Sequence, residues 1–137
     1  MFSKIMVPVD LEHAATLEKA IGIAADLAKL HGAQIHLVGV TASAPGAVAH
    51  NPAEFERKLQ AFAADHAARH GCEMTSKAVL SNDPAVELAS ALEDCSREMG
   101  ADLVVMASHV PGFMDLLFPS RAGHLATHTD ISVFIVR

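Results

Sequence analysis

The sequence predicts an α/β fold: a single-domain, three-layer sandwich with a five-stranded, mainly parallel sheet and helices on both faces. Three observations carry this prediction. Short β-branched runs alternate with longer helical patterns, which is the layout of successive βαβ crossovers. Gly32, Gly71 and Gly100 each follow the last apolar residues of a helical pattern, where a left-handed stop is expected. The run ADLVVMAS (101–108) is apolar almost without interruption, as in a strand buried on both faces.

The elements follow in order. KIMVPVDL (4–11) is the first strand, ending at Asp10. From Glu12 to Leu30 the residues Leu17, Ala20, Ile21, Ala24, Ala25, Leu27 and Ala28 fall on one face of a helix, which Gly32 stops. AQIHLVGVT (33–41) is the second strand, and the turn-rich SAPGAVAHNP after it is a surface loop. The second helix runs from Pro52 to His70, with Asn51 as N-cap, Pro52 in the first helical position and Gly71 behind it. EMTSKAVLS (73–81) alternates and suits a more exposed strand. Asp83-Pro84 opens a third helix that is apolar at Val86, Leu88, Ala89 and Leu92 and closed by Gly100. After ADLVVMAS a short helix is expected from Ser120 to about Thr129, and ISVFIVR forms the last strand.

Bulk properties narrow the function. With 137 residues the chain suits one domain, 1–137, large enough to bury a core. With six Phe and no Trp or Tyr, that core must be built from Ala, Val, Leu, Ile and Met. The net charge is −6 and Lys and Arg are scattered singly, so a general nucleic-acid or anionic-membrane binder is not expected. No apolar run approaches the roughly 18 residues of a membrane span. Cys72 and Cys95 form no CxxC spacing, the N-terminal residues carry no cleavage-site pattern, and a cytoplasmic protein with free thiols is expected. Neither a G-x-S-x-G elbow nor a G-x-x-x-x-G-K-[ST] loop occurs.

In such folds ligands sit beyond the carboxyl ends of the strands, at the switch point. That rule points to Asp10 and Leu11, to Val40 and Thr41, and to ASHVPGFMDLLFPS (107–120). Asp10 has two readings, a ribose contact or a cap for the following helix. Ser120 is either an N-cap or a phosphate contact, and His109 is either a ligand contact or an ordinary loop residue. His66 with His70, and His124 with His128, are spaced i, i+4 and can share a metal. No third ligand stands out for either pair, so a structural or solvated role is expected. FMDLLF (113–118) is expected to pack over the site.

KIMVPVD, IHLVGV, NDPAVEL, GADLVVMASH and SVFIVR, in this order and spacing, resemble the universal stress protein (UspA-like) family along the whole chain. The resemblance implies a flavodoxin- or Rossmann-like sandwich and, in many members, an ATP or AMP site. Carried over, that site comprises Pro8, Val9, Asp10, Val40, Met106, Ala107, Ser108, His109, Pro119 and Ser120. Asp10 would sit beside the nucleoside and the Val40 backbone would meet adenine. No metal is expected beyond nucleotide-bound magnesium. The resemblance also implies a homodimer through the last strand, Val133 to Val136.

The phosphate loop departs from the family form. Ala107 stands for a glycine, Val110 for an arginine and Pro119 for a glycine, while Ser108, His109, Pro111 and Ser120 match. Val110 removes a cation, and Pro119 removes an N–H donor from a helix N-terminus where an anion would bind. Leu11 and Glu12 add bulk and a second carboxylate near the same place. The expected protein is therefore a cytosolic stress-response regulator or binding module with a weakened adenine-nucleotide site and at most weak ATPase activity. The alternative is a competent ATP binder with slow or no hydrolysis. A true enzyme of the wider adenine-nucleotide-binding α/β group lacks a visible acid–base or nucleophile constellation.

Overall fold

The structure, a computed structural model, describes residues 1–108 and 131–137. Its elements in chain order are β1 (Lys4–Pro8), a 3-10 segment (Leu11–Leu17), α1 (Glu18–His31), β2 (Gln34–Thr41), α2 (Pro52–His70), β3 (Met74–Leu80), α3 (Pro84–Met99), β4 (Leu103–Ala107) and β5 (Ser132–Val136). All four strand pairings are parallel, in the order β3-β2-β1-β4-β5. The chain moves outward from β1 through β2 to β3, then crosses back to β4 on the far side of β1. Right-handed crossovers therefore put α1 and α2 on one face and α3 on the other. The switch point lies between β1 and β4.

The expected α/β sandwich is the one observed, and its helix ends follow from local chemistry. Asn51 caps α2 by accepting from the Glu54 amide at 2.8 Å, and Glu54 Oε2 accepts from the His50 amide at 3.0 Å. Gly32, Gly71 and Gly100 end α1, α2 and α3 at φ of 67°, 65° and 68°, a region that a side chain makes costly. The expected helix from Glu12, however, begins differently. Leu11–Leu17 winds as a 3-10 segment with a kink at His13 (φ −119°, ψ 39°), and the α-helix proper starts at Glu18. The cause is Asp10, whose carboxylate accepts from the Glu12 amide at 3.0 Å and meets His13 Nδ1 at 2.9 Å, holding the first turn tight.

The core is aliphatic. Ile5, Met6 and Val7 of β1, Ile35, Leu37 and Val38 of β2, and Leu103 to Ala107 of β4 are buried. On α1 the buried stripe is Ala20, Ile21, Ala24, Ala25 and Ala28, small residues that let the helix lie close to the sheet. Burying a large aliphatic side chain contributes on the order of 1.5–3 kcal/mol. Polar pins fix the start of β1. The Asp102 carboxylate accepts from the Ser3 amide at 2.8 Å, the Ser3 hydroxyl at 3.0 Å and the Lys4 amide at 3.1 Å. The expected helix at Ser120–Thr129 lies outside the described residues, as do His109, Val110, Pro111, FMDLLF, Pro119, Ser120, His124 and His128.

Candidate functional site

Beyond the carboxyl ends of β1 and β2 lies a cavity of about 610 Å³, within the range of small-ligand clefts. Among the described residues, Val9 and Asp10 form one wall, Val40 and Thr41 a second, and Phe55 of α2 and Leu88 of α3 approach from the two sides. The loop from Ala42 to Ala49 borders the cavity. The lining is mostly apolar, with Asp10, Glu12 and His13 as its charged edge.

Each wall has a local cause. Val9 extends the strand by one hydrogen bond, its amide donating to the Val38 carbonyl at 2.8 Å, and Asp10 then turns the chain. Asp10 is half-buried and caps the 3-10 segment, so the capping reading of this residue is realised. A carboxylate has about four lone-pair positions. The bonds to Glu12 and His13 leave it capacity to accept from ligand hydroxyls. The hydrogen bond that the His13 imidazole donates to the Asp10 carboxylate raises the His13 pKa above its ordinary 6.5. Phe55 reaches the sheet because residue 39 is glycine. A β-carbon there would lie 2.8 Å from Phe55 Cζ and 3.3 Å from Leu59 Cδ2.

The residues expected from sequence separate into three sets. Val9, Asp10 and Val40 are brought together on the cavity wall. Pro8, Met106 and Ala107 are buried in β1 and β4, and Ser108 follows β4, with its amide donating to the Val136 carbonyl at 2.9 Å. His109, Pro119 and Ser120 belong to the segment outside the described residues. Sequence reasoning missed Phe55, Leu88 and the 42–49 loop as wall residues. A glycine inside a buried strand, Gly39, was the available signal for close approach by a neighbouring side chain.

A second polar cluster sits between α1 and α2. His66 is buried, His70 is half-buried one turn further on, and Glu18 reaches them from the start of α1. This supplies the third group that the spacing alone did not show. Arg69 grips Glu18 with two hydrogen bonds, of 2.9 and 3.1 Å. That grip holds the Glu18 carboxyl below the usual range.

Comparison with known proteins comes down on one family. The profile of the Universal stress protein family matches residues 1–137. Universal stress protein G of Shigella flexneri is 28% identical over 148 residues, covering 100% of both chains. A solved universal stress family protein from Burkholderia pseudomallei superposes with a TM-score of 0.66 at 26% identity, covering 98% of this chain and 96% of that one. A universal stress protein from Archaeoglobus fulgidus in complex with dAMP has a TM-score of 0.67 at 18% identity, covering 99% and 98%.

Proposed function

The chain belongs to the universal stress protein family, and on that premise we propose that it is a non-catalytic binding protein of the stress response. Its ligand is an adenine nucleoside or nucleotide, held by the nucleoside end more than by phosphate. The observation that carries the reading is the cavity at the ends of β1 and β2, lined by both Asp10 and Val40. An apolar cleft suits a purine ring, the Val40 backbone can meet its edge, and Asp10 retains acceptor capacity for ribose hydroxyls. A protein of the same fold is solved in complex with dAMP, which supports an adenine ligand.

The weak phosphate grip rests on four residues. The Ser108 amide is already bonded to Val136. Glu12 puts a carboxylate on the cavity edge, where it repels a polyphosphate. Val110 offers no cation and Pro119 no N–H. Magnesium, where present, would arrive with the nucleotide, and hydrolysis of ATP is slow or nil. The alternative, a competent ATP binder, is favoured instead if ATP binds far more tightly than adenosine in calorimetry; similar affinities support the reading preferred here.

We further propose a homodimer through Val133 to Val136 and a cytoplasmic location for a single domain spanning 1–137. β5 is a sheet edge that pairs with β4 on one side, and Phe134 and Ile135 on it are 43% and 42% exposed. An open apolar edge strand favours pairing with a second copy. No described helix is long and apolar enough to cross a membrane.

A further inference from the structure

Glu18, His66 and His70 offer one carboxylate oxygen and two imidazole nitrogens, all within 4.8 Å of one another. His66 and His70 share a face of α2 because they are one turn apart, and their rings lie 5.8 Å apart at 8°, nearly parallel. Glu18 comes from α1, its Oε1 3.8 Å from His66 Nε2. The cluster lies on the helical face of α1 and α2, and none of its three residues lines the cavity at the strand ends.

Two observations distinguish this cluster from an ordinary surface group. His66 is 1% exposed, and His70 Nε2 is buried without a hydrogen-bond partner among the described residues. A buried nitrogen with no partner is costly, and a metal ion is one of the few partners that can satisfy it. The cluster also already holds a cation. Arg69 Nη2 lies 2.9 Å from Glu18 Oε1 and over the His66 ring, 3.0 Å from Nε2 and 3.3 Å from Nδ1, so the carboxylate and the imidazole bracket one positive group.

We propose that Glu18, His66 and His70 form a binding site for a divalent transition-metal ion, which takes the place of the Arg69 guanidinium between the two helices. Two imidazoles and a carboxylate suit a borderline ion such as Zn²⁺ or Ni²⁺ and are poor ligands for magnesium. Donors sharing one tetrahedral ion stand about 3.3–3.6 Å apart, given bonds of about 2.0–2.2 Å. The present spacing therefore closes by rotations of about 1–1.5 Å at the side-chain tips. Three protein ligands leave the fourth position to water. Arg69 on release keeps its partner Asp65, whose Oδ2 is 3.0 Å from Arg69 Nε. Because the ion joins α1 to α2, binding stabilises the native state by linkage.

The test uses the full-length, untagged, chelator-treated protein. Zn²⁺ is titrated against it by calorimetry, Tm is followed by scanning calorimetry, and Co²⁺ serves as a spectroscopic probe. One equivalent of Zn²⁺ should bind and raise Tm, and Co²⁺ should give a visible spectrum of low coordination number. Glu18→Gln and His70→Gln, both at positions with some solvent exposure, should each weaken binding by at least the roughly 10–100-fold that loss of even an outer-shell partner costs, while leaving the apo protein folded. Arg69→Gln should bind more tightly, because the competing cation is gone. No saturable binding, or binding that neither Glu18→Gln nor His70→Gln weakens, overturns the site. Loss of binding in His13→Ala instead would place the ion at Asp10, Glu12 and His13 and overturn it equally. Unchanged or weaker affinity in Arg69→Gln would reject the exchange with the guanidinium.

Discussion

Asp10 Oδ2 lies 2.9 Å from His13 Nδ1, and the same carboxylate accepts from the Glu12 amide at 3.0 Å. One side chain thus ends a strand, caps a 3-10 segment, and stands on the wall of the cavity. The hydrogen bond to Asp10 raises the His13 pKa above 6.5. Its contribution is fully present below the unfolded pKa and is lost as pH rises through the raised folded value. Asp10→Asn should bring the His13 pKa down toward 6.5, read from its imidazole resonances in an NMR titration. An unchanged value would show that the pair is not the cause.

Gly39 lets Phe55, a wall residue of the cleft, pack against β2. A methyl at position 39 forces Phe55 away from a contact of 2.8 Å. Gly39→Ala should destabilise the fold by about 1–3 kcal/mol, the usual cost of overpacking, and should weaken adenosine binding. Denaturant unfolding with a paired calorimetric titration checks both. A variant as stable as the parent and with full affinity would remove Phe55 from the account.

Much of this architecture was readable from the residues. Asn51, Pro52 and the three helix-ending glycines act through hydrogen bonds and φ values set within a few residues, so α2 emerges with its expected bounds of Pro52 and His70. The 3-10 start of the first helix was not readable, because it depends on where the Asp10 carboxylate points. Asp10, Leu11, Val40 and Thr41 could be placed together from the strand-end rule. Phe55 and Glu18 could not, because each meets its partners across a helix–sheet or helix–helix contact that periodicity does not encode.

Asp102 ties the N-terminal segment to the start of β4. Burial pushes its carboxyl pKa up, but the Ser3 and Lys4 amides and the Ser3 hydroxyl outweigh burial and hold it below the ordinary value. A depressed folded pKa gives stability that is present above the unfolded pKa and lost as pH falls through the folded one. Asp102→Asn should therefore cost about 1–3 kcal/mol at neutral pH, with the difference from the parent shrinking as acid protonates the parent carboxyl. Urea unfolding at pH 7 and pH 3 measures this. A difference that grows in acid would contradict the assignment.

The edge strand β5 offers a direct handle on assembly. Phe134 is exposed and sits opposite Val105 in the β4 register. Phe134→Lys puts a charge on the open edge and should shift light-scattering mass at micromolar concentration from dimer toward monomer. A parent protein that is already monomeric there would remove the dimer.

A ligand held by its nucleoside end should bind with little help from its phosphates. Calorimetric titration of one preparation with adenosine, AMP and magnesium-ATP tests it most directly. Adenosine should bind saturably and lose binding in Asp10→Ala, with ATP no more than about tenfold tighter, a margin of about 1.4 kcal/mol. ATP binding tighter than adenosine by several hundredfold, or adenosine binding indifferent to Asp10, would contradict it.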